Sequence, residues 1–139
     1  MPSRAALRVD RSVRVPAQPV SVSAARRFVT ELLADSGCGC ALGEDAELML
    51  SELVTNAVRH QRDGAIGISA VLRGPALRVS VTDESADVPL ARGAGTGAAS
   101  GRGLFLVEQL ATRWGWARLT VGKVVWFEAV CVCRLTGAA

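Results

Sequence analysis

No apolar run in these 139 residues reaches the roughly 18–20 needed to cross a bilayer, so no membrane span is expected. The N-terminal charges Arg4, Arg8, Asp10, Arg11 and Arg14 are followed by no apolar stretch. That pattern argues against a signal peptide and leads us to expect a soluble, cytoplasmic protein. Lysine is nearly missing, with a single residue against fifteen arginines, and the net charge is only +3. The basic residues are scattered among acids and never interleave with aromatics, so the stripe that direct nucleic-acid binding calls for is lacking. There is no internal repeat and no sign of a second domain.

Half of the residues are apolar, enough for one domain with a real core. We expect a flexible lead-in over residues 1–12 and a single domain over 13–135. The four cysteines form two Cys-x-Cys pairs, Cys38/Cys40 and Cys131/Cys133. Two close pairs are able to supply four thiolates to zinc. One intervening residue is tighter spacing than usual, and the second pair sits in a run that reads as strand. Buried free thiols are the expectation, and disulfides are less expected still.

Along the chain, Val13–Val15 reads as a short strand stopped by Pro16. Ser21 is a candidate N-cap for a helix carrying Ala24, Ala25, Phe28, Val29, Leu32 and Leu33 at helical spacing. After the Gly37–Gly43 break, Glu44 and Asp45 open a second helix that runs to His60. Two strands follow, around Ile66–Leu72 and Leu77–Val81, with a Gly74-Pro75 hairpin between them. Residues 84–100 read as a long loop that closes over something. A third helix starts after Ser100–Gly103 and stops near Arg113 and Gly115. Trp116–Val121 and Val124–Leu135 close the chain as a hairpin around Gly122-Lys123. The expected fold is an α+β two-layer sandwich: one mixed, mainly antiparallel sheet with three helices on one face.

Three polar features interrupt this apolar plan. Glu52 and Asn56 stand one helical turn apart, beside Leu53, Val54, Ala57 and Val58. Period two puts Asp83 on the apolar face of its strand with Leu77, Val79 and Val81. Glycines at Gly101 and Gly103 let backbone N–H groups approach an anion at a helix start. Taken singly, these read equally as a solvated helix face, a turn-capping acid and an ordinary loop-to-helix junction. Together they outline a nucleotide pocket: a base and a Mg²⁺ ligand in Glu52 and Asn56, an acceptor for an exocyclic amine in Asp83, and a phosphate cradle.

The run Glu52-Leu-Val-Thr-Asn56-Ala-Val-Arg-His60 resembles the N box of the histidine-kinase-like ATPases of Bergerat fold. Val81-Thr-Asp83-Glu-Ser85 resembles their G1 box and Ser100-Gly-Arg-Gly103-Leu-Phe-Leu-Val107 their G2 box. Trp114-Gly115 and Gly122-Lys-Val-Val-Trp-Phe-Glu128 are similar to their closing hairpin. Within that family the chain resembles the small anti-sigma-factor and serine-kinase branch common in actinobacteria. The resemblance implies ATP and Mg²⁺ as cofactors, with Asn56 holding the metal and Glu52 as general base. It further implies that Asp83 accepts from the adenine amine. Ser100, Gly101, Arg102, Gly103 and the adjoining Leu104 would line the phosphate end. Family members phosphorylate a serine on an anti-anti-sigma protein or hold a sigma factor inactive, so either is an expected partner. The alternative is a nucleotide-binding partner-switching module with little or no phosphotransfer. Ala86 stands where this branch often keeps proline, and Ala99 where an acid is frequent. His60 reads as a helix-end residue near the site and Lys123 as a turn residue. Both faces of the last strand are apolar apart from Glu128, so a homodimer across the outer sheet face is a further expectation, with cover by the N-terminal arm as its alternative.

Overall fold

The structure, a computed structural model, describes residues 8–61, 63–86 and 99–134, with the backbone alone for residues 99–103 and 134. The elements follow in the order β1 (Arg8–Pro16), α1 (Ser21–Asp35), α2 (Leu42–Gln61), β2 (Ala65–Arg73), β3 (Ala76–Asp83), α3 (Ala99–Leu110), β4 (Arg113–Arg118) and β5 (Lys123–Val130). The strands form one sheet in the order β1-β2-β3-β5-β4. All four strand pairings are antiparallel, so the α+β sandwich is present without the parallel component of a mixed sheet.

One face of the sheet carries the core. Ile66, Ile68, Ala70 and Leu72 of β2, Leu77, Val79 and Val81 of β3, and Phe127 and Ala129 of β5 are all buried. Alternation of apolar and small or polar residues is what sends these side chains to one side. The central helix α2 lies over them, flanked by α1 and α3, and buries Met49, Leu50, Leu53, Val54 and Ala57. Acids Glu44 and Asp45 in its first turn, with Arg59 and His60 in its last, match the helix dipole at both ends.

Several boundaries differ from the sequence expectation. β1 begins at Arg8, so residues 8–12 belong to the sheet and not to a flexible lead-in. It is an edge strand with most residues exposed, and charged side chains there protect an open edge while hiding the apolar alternation. Ser21 is not a cap: Val20 holds that position, and the Ser21 hydroxyl donates to the Pro16 carbonyl. β4 begins at Arg113, where a helix end was expected. Gly115 is a strand residue because the ring of Trp126 lies against it, at 2.6 Å from where a Cβ would stand.

β5 stops at Val130, and Val132–Arg134 is a single 3₁₀ turn, so Cys131 and Cys133 lie beyond the strand. The cysteines are not four buried thiols. Cys38 and Cys131 are joined as a disulfide, while Cys40 is half-buried and Cys133 exposed. Burial works to raise the Cys40 thiol, but hydrogen bonds from the backbone of Cys133, Leu42 and Val132 and from the Cys133 thiol hold it below its ordinary value.

The outer sheet face is polar at its centre. Glu128 accepts from Arg113 at 2.7 Å and from Arg78 at 3.2 Å, and the Arg78 guanidinium stacks 4.0 Å from the Trp126 ring centre. Among the described residues, Arg8–Pro16 of the N-terminal segment pair as an edge strand of this sheet.

Candidate functional site

The site is built at the end of the sheet where β3 stops and β5 starts. Asp83 is the last residue of β3 and only 3% exposed. Its side chain points to the core side, as period two requires. Its Oδ1 accepts from Lys123 Nζ at 3.0 Å and from the Ser85 N–H at 2.8 Å. Lys123 is no turn residue: it opens β5, is 4% exposed, and stands opposite Asp83 in the strand register. A buried carboxylate is tolerable only when its charge is met, and the chain's single lysine meets it.

The turn before Lys123 is fixed as tightly. Gly122 has φ +80, and a side chain there would run into the Asp83 carbonyl. Glycine alone combines that dihedral with that contact. Leu119 closes the turn by donating its N–H to the Gly122 carbonyl at 3.0 Å.

On α2, Glu52, Asn56 and His60 follow at four-residue intervals and share one stripe of the helix. Asn56 is buried, at 8% exposure, while Glu52 and His60 are half-buried. The helix end is tied to the Asp83 region by Gln61. Its Nε2 donates to the carbonyls of Asp63 and Ala65 at 2.8 and 2.9 Å, and its Oε1 accepts from the Glu84 N–H at 2.8 Å. One side chain thus joins the end of α2, the start of β2 and the residue after Asp83. A cleft of about 460 Å³ opens beside it, lined by His60, Gln61, Asp63, Gly64, Glu84, Ser85 and Ala86.

Ser100, Gly101, Arg102 and Gly103 lie in the first turn of α3, which starts at Ala99, one residue before the expected run. The first four N–H groups of any α-helix have no intrahelical acceptor, so this end offers donors to an anion. Leu104 is buried at 2% exposure and serves the core through its side chain. Of the expected closing loop, residues 84–86 are irregular backbone and 87–98 lie outside the described residues.

Sequence reasoning therefore placed Asp83 and the Glu52/Asn56 stripe, and missed Lys123 and Gln61. The one available signal for Lys123 was its singularity among fifteen arginines. Gln61 carried none beyond its position five residues after Asn56.

A carboxylate, a buried amide one turn away, a fixed acidic acceptor and a helix N-terminus lie on elements packed around one end of an α+β sandwich. The sequence pattern of the histidine kinase-like ATPase domain matches residues 15–128, and the chain belongs to that family. ATP binding follows from that membership. No curated protein matches the chain. No helix among the described residues is long and apolar enough to cross a membrane.

Proposed function

We propose that this chain is a cytoplasmic, ATP- and Mg²⁺-dependent regulator of the anti-sigma type that phosphorylates a serine on an anti-anti-sigma partner. The observation that carries the reading is the half-buried Glu52 carboxylate one turn from the buried Asn56 amide. A module that only bound nucleotide would have no chemical need for that acid.

The roles follow from donor chemistry. Asp83 accepts from the adenine exocyclic amine, and Lys123 keeps its carboxylate oriented for that contact. The amide oxygen of Asn56 is a neutral, hard ligand that suits Mg²⁺, which prefers a few protein oxygens and phosphates for the rest. When bound, Mg²⁺ neutralises charge on the phosphates. Glu52 takes the proton from the serine hydroxyl of the partner. The first turn of α3 holds phosphate oxygens through backbone N–H groups.

A second reading, a partner-switching module with little phosphotransfer, is favoured by the segment after Asp83. There Ser85 stands where the wider family's Asp-x-Gly-x-Gly pattern has its first glycine, and its N–H already donates to the Asp83 carboxylate. Calorimetry with Mg-ATP on the wild type, Asn56→Ala and Asp83→Asn tests the nucleotide site. Absence of binding by the wild type ends both readings. Labelled ATP with the co-encoded partner then separates them: a bound partner that never gains label decides for the module.

A further inference from the structure

The chain's four cysteines come together far from the nucleotide site. Cys38 and Cys40 lie in the connection between α1 and α2, and Cys131 and Cys133 follow β5. Although 91 to 95 residues separate the sulfurs that meet across these segments, all four Sγ atoms lie within 4.8 Å of one another. Ala76, at the start of β3, pairs with Val130, just before Cys131. Asp83 stands at the opposite end of that strand, about 24 Å away at the usual rise per residue.

Local structure aims each sulfur inward. α1 ends in a Schellman motif, with Gly37 at φ +73 and the Cys38 N–H donating to the Leu33 carbonyl. That turn folds Cys38 back under the helix end, where it is 8% exposed. The Cys131 N–H donates to the Pro75 carbonyl, which anchors the second pair to the β2–β3 hairpin. The 3₁₀ turn at Val132 then brings Cys133 back to within 3.2 Å of the Cys131 sulfur.

Four of the six sulfur pairs are spaced close to the edges of a known polyhedron, and a fifth, Cys38–Cys131, is bonded as a disulfide. With Zn–S bonds of about 2.3 Å, a tetrahedron of sulfurs has edges of about 3.8 Å. Cys38–Cys40 and Cys40–Cys131 are 3.6 Å apart, Cys131–Cys133 3.2 Å and Cys133–Cys38 3.8 Å. The tight Cys-x-Cys spacing is no obstacle, because Cys38, Cys40 and Cys131 lie outside helices and strands and Cys133 lies in a single 3₁₀ turn.

We propose that in the reduced chain Cys38, Cys40, Cys131 and Cys133 bind one zinc ion as a closed tetrathiolate site. Four protein ligands leave no open position, so the ion is structural. It clamps the α1–α2 connection to the exit of β5 and so fixes the start of α2, the helix that carries Glu52 and Asn56. The exposed Cys133 side is the route of entry. The Cys38–Cys131 disulfide is the competing use of the same sulfurs, since an oxidised pair has no thiolate to give.

The test is made on the full chain purified under reducing conditions. Zinc is measured by mass spectrometry, thiols are counted after denaturation in chelator, and cobalt is titrated into the stripped wild type. The expected result is one zinc and four thiols per chain, with thiolate-to-cobalt charge-transfer bands saturating at one equivalent. The double variant Cys40→Ser/Cys133→Ser, which spares both disulfide partners, loses the zinc entirely and melts at lower temperature. Two thiols with no zinc, four thiols with no zinc, or zinc retained by the double variant each overturns the proposal. Should the double variant fail to fold, the wild-type cobalt titration alone decides, and absence of the charge-transfer bands overturns it.

Discussion

Lys123 Nζ stands 3.0 Å from Asp83 Oδ1, with only 5% and 3% of the two side chains exposed. The register of β3 against β5 pairs these residues directly, so the ladder itself delivers the cation to the acid. Neither charge has much access to water, and each therefore depends on the other.

Removing one partner leaves the other charge buried. Lys123→Met, similar in length and uncharged, is expected to cost about 3–5 kcal/mol of stability in urea unfolding. The double variant Lys123→Met/Asp83→Asn recovers most of that loss, because no orphaned charge remains. Equal instability of single and double variants would show that packing, not charge, sets the cost.

Asp83 also faces a test of selectivity. Guanine carries a carbonyl where adenine carries its exocyclic amine, so an acceptor-only carboxylate prefers ATP over GTP. Asp83→Asn weakens ATP binding by at least about tenfold, in line with charge-assisted hydrogen bonds of about 1.5–3 kcal/mol. It also narrows the ATP/GTP ratio measured by calorimetry. An unchanged ratio would leave Asp83 as a structural acid only.

Much of this was legible in the sequence, and the exceptions share a cause. Asp83 and the Glu52/Asn56 stripe follow from the local periods of strand and helix, which need no knowledge of neighbours. Lys123 becomes a site residue only through the pairing of β3 with β5, and register across forty residues is not written in local pattern. The convergence of the cysteines needs two long-range placements at once, and it was masked by extending β5 past Val130. β1 reads short in the sequence because Arg11 interrupts the Val9, Val13, Val15 alternation on its inner side.

Glu52 is separable from the binding residues. Glu52→Gln keeps the shape and an acceptor oxygen but cannot take a proton. Mg-ATP affinity is expected to stay within about threefold, while phosphotransfer to the partner falls by about 10²–10⁴-fold, the range of general-base catalysis. A parallel loss of affinity and rate, followed by calorimetry and label transfer, would reassign Glu52 to nucleotide binding.

The outer face supplies a pH dependence with a definite sign. The hydrogen bond from Arg113 is the largest influence on Glu128, and with further help from Arg78 it holds the carboxyl below its ordinary 4.5 against the opposing effect of burial. The folded pKa is thus depressed, so the unfolded chain takes up this proton first as pH falls. The stabilisation from Glu128 is complete above the unfolded value and disappears as pH drops through the folded one. Because Arg113 is well exposed, solvent screens the pair and keeps its contribution at neutral pH small. Glu128→Gln is expected to lower the urea midpoint slightly at neutral pH and to leave a shallower loss of stability as pH falls below the ordinary 4.5. An acid limb as steep as that of the wild type would place the acid sensitivity on other carboxylates.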